Sequence, residues 1–259
     1  MKYITKLLIL YFLLNTGCQL DKNGAKKSFW YFPIVFDSIG VDKFFYFKED
    51  SPTWLTTSNY KLYFIGKVQD TIFLNPYLNF GPFAVPTKDN QSSEDEEREP
   101  DKQLEGYFLG WTERKGYKFP EDSNVEILVD TSNTISNSYP TLLKNLDKDT
   151  IIIGYGQQIP LIMEAKDSLG NWKPIQKRFV YMCGVGVGSI ILPPKECAIT
   201  LSPIYNGNYK TEIRLSFGGN HSNTFYGNIN YRQFKSMFDE KGDYNEEYKR
   251  EMEDKATNR

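Results

Sequence analysis

Histidine and cysteine are scarce in this chain of 259 residues, which holds one His and three Cys. With His221 as the sole imidazole, the chain lacks the ligand set of an ordinary zinc site, and a Ser-His-Asp or Cys-His catalytic group would have to be built around one loop residue. No Gly-x-Ser-x-Gly nucleophile motif occurs. The glycine clusters Gly184-Val185-Gly186-Val187-Gly188 and Gly154-Tyr155-Gly156 do not open helices, so they read as bends in strands and no nucleotide cofactor is expected. Neither sign of charge dominates, with 31 basic residues against 33 acidic ones and a net charge of -2. That balance leaves no basic stripe for a phosphate backbone and excludes nucleic acid as the expected partner. No apolar run approaches the roughly 20 residues of a membrane-spanning helix. Helical periodicity is also missing until near the C-terminus.

What is present begins at the N-terminus. Lys2 and Lys6 precede the apolar run Leu7 to Leu14, and Thr16-Gly17 places small residues directly before Cys18. This is the three-part layout of an export signal. Leu14-Asn15-Thr16-Gly17-Cys18 resembles the lipobox of bacterial lipoproteins, with Asn15 departing from the usual aliphatic residue. The resemblance implies cleavage before Cys18, a thioether-linked diacylglyceryl group on its sulfur and an acylated amino terminus. An ordinary secretory signal that happens to carry a cysteine is the alternative. Two acyl chains give stable anchoring, since each buried methylene contributes about 0.8 kcal/mol. Gln19 to Gly24 then follows as a polar leash. Gln19 and Asp21 look like the surface-export signals of Bacteroidetes lipoproteins, which implies a surface-exposed outer-membrane protein in preference to a periplasmic one.

A second pattern, Asp followed by Ser or Thr and then an apolar residue, occurs at Asp37-Ser38-Ile39, Asp70-Thr71-Ile72, Asp149-Thr150-Ile151 and Asp167-Ser168-Leu169. It resembles the O-glycosylation acceptor of exported Bacteroidetes proteins, with Ser38, Thr71, Thr150 and Ser168 as the implied acceptors. The same residues also favour turns that lead into strands.

The body, 40% hydrophobic and 15% aromatic, has the composition of a core-forming chain. Aromatic and β-branched runs of strand length recur between turn residues. In the N-terminal β region, 29–120, they are Phe29 to Phe36, Lys43 to Lys48, Tyr60 to Lys67 and Asp70 to Leu74. Residues 87–105 interrupt it with acids and no aromatic, and are expected to form a disordered insertion. Across 121–230 strands are expected at Val125 to Val129, Thr141 to Leu146, Thr150 to Tyr155, Pro160 to Ala165, Trp172 to Ile175, Arg178 to Cys183, Ser189 to Leu192, Glu196 to Pro203 and Lys210 to Phe217. A hairpin turn at Asp167 to Asn171 joins two of them. Short strands at this spacing predict an all-β fold, a β-sandwich of immunoglobulin-like architecture, with a short C-terminal helix. That helix is expected over Tyr231, Phe234 and Phe238, whose spacing is helical, and from Asp239 onward the chain reads as a charged tail in which helix would continue only frayed and solvated. The organisation is therefore a signal peptide at 1–17, a lipidated linker at 18–28, the two β regions and the C-terminal segment.

Once Cys18 is acylated, Cys183 and Cys197 remain as an even pair, which in an oxidising envelope reads as a disulfide. Closing that loop would contribute on the order of 3 kcal/mol. Trp30, Trp54, Trp111 and Trp172 are the candidate ligand platform, weighed against the core packing that most aromatics perform. The expected activity is a non-enzymatic binding or structural module for a glycan or an envelope protein. The alternative is an exported hydrolase of the glycosidase type, for which Glu105, Glu113, Glu126 and Glu164 are candidate carboxylates.

Overall fold

The computed structural model describes residues 32–41, 52–78, 104, 106–110, 116–179 and 187–257. Cys18, Trp30, Trp111, Cys183, Glu105, Glu113, the expected strand at 43–48 and all of the acidic insertion but Leu104 lie outside these residues. Among those described, the strands are β1 (Ile34–Phe36), β2 (Thr56–Thr57), β3 (Phe64–Lys67), β4 (Thr71–Phe73), β5 (Phe108–Leu109), β6 (Val125–Val129), β7 (Ser138–Asn145) and β8 (Ile151–Tyr155). They continue with β9 (Ile162–Lys166), β10 (Trp172–Pro174), β11 (Gln176–Lys177), β12 (Ser189–Leu192), β13 (Glu196–Pro203), β14 (Tyr209–Phe217), β15 (Asn220–His221) and β16 (Phe225–Ile229). One helix follows, α1 (Glu246–Thr257). It is not long and apolar enough to cross a membrane.

Burial along the strands dictates the layering. In β9 and β14 buried and partly exposed residues alternate, as they do where one sheet face is wet. In β7 and β13 nearly every residue is buried, so the sheet that holds them is covered on both faces. That central sheet has the antiparallel order β3-β13-β7-β6, and it packs against an outer sheet in which β10-β9-β14 is completed by β15 and β16 along the far side of β14. Ile127, Leu143 and Ala198 of the central sheet share one core with Met163, Leu215 and Phe217 of the outer sheet. The all-β, sandwich-like fold expected from the short, closely spaced strands is present, and a short C-terminal helix with it.

A third layer lies on the other face of the central sheet. Strands β1 and β4 pair in parallel, and Val35 and Ile72 turn inward to a second core with Tyr63, Leu142, Cys197, Ile199 and Leu201. A three-stranded sheet, β5-β12-β8, extends the sandwich at one end, with Ile151, Ile153, Ile190 and Leu192 in the main core. Leu104, at the end of the expected insertion, is buried in that core too.

Long-range side-chain bonds close the assembly. Asn223 accepts from the Val129 amide at 2.7 Å and donates to the Val129 carbonyl at 3.0 Å, standing in for a strand partner at the edge of β6. Gln176 is buried between the Tyr60 hydroxyl, which donates to its Oε1 at 2.7 Å, and the Tyr205 hydroxyl, to which its amide donates at 2.7 Å. The Met163 amide donates to the same Oε1 at 3.0 Å. Burial raises the pKa of both phenols, that of Tyr205 to about 12, so they remain donors.

Two expectations are corrected. Cys197 is a free thiol, so the disulfide with Cys183 does not form in this structure. The register of β13 turns Cys197 into the second core opposite Lys144, and burial pushes its pKa to about 12, which makes it a packing residue with little thiolate. The helix also falls later than expected. Tyr231–Phe234 makes a single 3-10 turn, capped by Asn230 and Gln233, and α1 forms in the charged tail. Its acid–base pairs Glu246–Lys249 and Glu251–Lys255 stabilise the helix along its own surface. The Tyr231 and Phe234 rings pack edge-on around Tyr209 at 5.0 and 6.4 Å, a geometry a longer helix is not needed to achieve.

Candidate functional site

The outer face of the outer sheet gathers the described residues with the most to offer a ligand. In β14 the pattern Lys210-Thr211-Glu212-Ile213-Arg214-Leu215-Ser216-Phe217 sends Thr211, Ile213, Leu215 and Phe217 inward, which leaves Lys210, Glu212, Arg214 and Ser216 on the other face. β9 contributes Glu164 and Lys166 by the same rule. Register then assembles them. Trp172 opposes Lys166, Arg214 opposes Glu164, and Glu212 opposes Tyr226. Lys166 and Glu212 form an ion pair. One row across four strands thus reads Trp172, Lys166, Glu212, Tyr226, an aromatic at each edge and a compensated charge pair between. At a strand spacing of about 4.8 Å the two aromatics stand about 14 Å apart.

Neighbouring contacts hold this row in place. The Arg214 guanidinium lies 4.4 Å from the Trp172 ring centroid while its Nε donates to Glu164 at 2.8 Å, so one residue both supports the indole and neutralises the carboxylate. Lys166 Nζ lies 5.2 Å from the same ring. Lys210 Nζ is 6.0 Å from the Tyr226 ring, and Tyr226 is 66% exposed. His221 Nδ1 stands 3.9 Å from Glu164. The face is nearly neutral, with ring surface at its edges and hydrogen-bonding groups on its floor. At its end, Ile162, Ser216, Arg178 and Glu121 border a cleft of about 150 Å³. A drug-sized pocket needs roughly 300 Å³ or more, so the surface suits an extended ligand better than an enclosed one.

Hairpin chemistry explains why Trp172 is there. The Asp167 carboxylate accepts from the Leu169 and Asn171 amides at 2.9 Å each and from Lys173 at 2.8 Å, and Gly170 supplies the positive φ of 80° that closes the turn. The Lys173 ammonium, foremost, and those amides hold the Asp167 carboxyl below its ordinary value. Asp37 does similar work, accepting from the Gly40 and Val41 amides. In two of the four acceptor-like triplets, then, the aspartate builds a turn. Ser38 and Ser168 are exposed, whereas Thr71 and Thr150 are partly buried.

Among the other sequence candidates, Trp54 has no face to offer. It is 4% exposed, its indole N–H donates to Glu251 at 3.0 Å, and Tyr248 meets it edge-on, so it is where α1 docks. Of the four candidate carboxylates only Glu126 and Glu164 are described, and they cannot act together. Val125 and Ile127 face the core, as do Met163 and Ala165, so Glu126 and Glu164 project from opposite faces of two stacked sheets. The sheets alone are about 10 Å apart, beyond which the outward side chains add their own length, and a glycosidase pair spans about 5 to 10 Å. Burial raises the pKa of Glu126 and lowers that of Lys144, the residue opposite it. Among the described residues no three His, Cys, Asp or Glu side chains converge as metal ligands.

Sequence reasoning singled out Trp172 and missed Tyr226, Arg214, Lys166 and Glu212. The alternation of β14 marks Glu212 and Arg214 as outward, but Tyr226 belongs to Phe225-Tyr226-Gly227-Asn228-Ile229, where Gly and Asn mask a strand. No protein family matches this chain, and neither does any curated protein or solved structure.

Proposed function

We propose that this chain is a membrane-anchored lipoprotein of the bacterial outer membrane, displayed at the surface, whose β-sandwich binds an extended glycan or envelope protein without catalysis. The row Trp172, Lys166, Glu212, Tyr226 carries the binding reading. Its edge aromatics supply apolar ring faces and its floor supplies donors and acceptors that are already charge-compensated. Such a surface can hold a ligand that has both hydroxyls and apolar faces. The anchor reading rests on Leu7 to Cys18, and the surface orientation on the residues after it. Exposure ranks Ser38 and Ser168 above Thr71 and Thr150 as glycosylation acceptors.

Two measurements test this. The intact mass of protein purified from the cell envelope should equal residues 18–259 plus acyl chains, with any further increment due to glycan. A mass equal to the uncleaved polypeptide, or to a chain cut elsewhere and bare of lipid, rejects the anchor. On a glycan array the detergent-solubilised full chain should bind an extended glycan, and Trp172→Ala or Tyr226→Ala should each weaken that binding about two- to tenfold, the equivalent of an aromatic contact of 0.5–1.5 kcal/mol. Unchanged binding in both variants moves the ligand off this face, and a blank array leaves the envelope protein as the ligand class.

One observation favours the exported hydrolase as a second reading. Glu164 and Glu212 lie on adjacent strands at diagonal positions, their backbones about 7–8 Å apart, a spacing from which two carboxyls can reach the separation of a glycosidase pair. Each is already matched to a cation, Arg214 or Lys166, whereas a general acid needs surroundings that keep it protonated. Shortened glycan products would reverse that preference.

A further inference from the structure

Among the described residues, the N-terminal layer presents an exposed apolar face. Val35 and Ile72 point into the second core, so Ile34 and Phe36 of β1 and Thr71 and Phe73 of β4 point out. Ile34 is 47%, Phe36 50% and Phe73 61% exposed, and the two phenylalanines stack at 5.7 Å. Parallel strands normally have both faces covered, and a sheet of only two strands is marginal unless something packs on it. Soluble surfaces rarely gather large apolar side chains in this way without a partner.

Covalent continuity identifies the partner. Ile34 lies 16 positions after Cys18, so β1 is tied to the acyl chains by a segment that spans at most about 55 Å. A tether this short makes docking on the bilayer an intramolecular event, and a patch of a few apolar residues then suffices where it would fail on a free protein. An apolar face that carries Phe is what surface-bound proteins bury at the headgroup boundary of a bilayer.

We infer that Ile34, Phe36 and Phe73 rest on the surface of the bilayer that holds the Cys18 anchor, which orients the body with its N-terminal layer toward the lipid. This inference depends on the lipoprotein reading proposed above. Its consequence is geometric. The layers run from β1 and β4 through the central sheet to the outer sheet, so the face with Trp172 and Tyr226 points away from the membrane, open to an external ligand. Thr71 shares the lipid-facing side, so it should carry no glycan even if Ser38 or Ser168 does.

Photocrosslinking in full-length, acylated protein reconstituted into vesicles of phosphatidylethanolamine and phosphatidylglycerol tests the orientation. With p-benzoylphenylalanine in place of Phe73, irradiation should give a lipid adduct; in place of Tyr226, on the opposite face, it should give none. Metabolic labelling with an alkyne fatty acid is read on the same samples. Labelled protein without an adduct at position 73, or with an adduct to a second copy of the chain instead of lipid, overturns the docking while leaving the anchor intact. Unlabelled protein overturns the anchor and the docking together.

Discussion

Gln176→Leu should cost about 2–6 kcal/mol of folding stability, although the two side chains are close in size. Leucine fills the space but returns no hydrogen bond, so the Tyr60 hydroxyl and the Met163 amide both lose the acceptor they share in the wild type. Each buried donor left without a partner costs about 1–3 kcal/mol, and two are left. Tyr205 loses its donor as well but keeps a hydrogen bond from Thr56, so it adds less. Domains are stable by about 5–15 kcal/mol in total, so a loss in this range should be plain in a urea denaturation curve of the full chain. A shift below about 1 kcal/mol would mean that water or a neighbour re-satisfies the donors, and that the network is dispensable.

Phe217→Ala should cost about 3–5 kcal/mol through a different mechanism. Phe217 is fully buried at the end of β14, in the core between the two sheets, beside the small cleft that it helps to line. Truncation removes the transfer energy of the ring and leaves a cavity that rigid sheets on both sides cannot close. The neighbourhood is poorly placed to relax. Gly218, the next residue, turns at φ +53°, and a Cβ there would sit 2.3 Å from the Pro120 backbone, while Asn220 is bonded to the Pro120 and Ser123 carbonyls. The same denaturation experiment reads the effect. A cost near 1 kcal/mol would show that the turn and Pro120 move inward to fill the space.

Legibility from sequence followed the range of the interactions involved. β6, β12 and β13 fall where their apolar and β-branched runs place them, and the Asp167 to Asn171 turn forms as its residues dictate, because both depend on neighbours a few positions away. β2, β5 and β16 escaped notice. The first two are two-residue pairings with strands far along the chain, Thr56 with Gln176 and Leu109 with Ser189, and nothing local announces them. The third layer escaped for a related reason: the near-continuous burial of β7 and β13 depends on β1 and β4, which come from far along the chain, and nothing in the residues of β7 and β13 names them. The helix was misplaced because Tyr231, Phe234 and Phe238 have helical spacing, yet Tyr231 and Phe234 cluster with Tyr209 while Phe238 stacks on Tyr244.

The amino-acid sequence by itself determined that the described body is built of strands, where most of those strands run, which residues of β9 and β14 share a face, and that charge is balanced along it. Only the tertiary structure decided which candidates meet. It buried Trp54 under α1 and left Trp172 beside Arg214, it set Glu126 and Glu164 on opposite faces, and it folded Cys197 into a core as a free thiol. The physical reason is that a strand's alternation settles the side on which each residue lies, whereas the strand or layer it faces is settled by pairings such as β9 with β14 and β3 with β13, formed between segments distant in the chain.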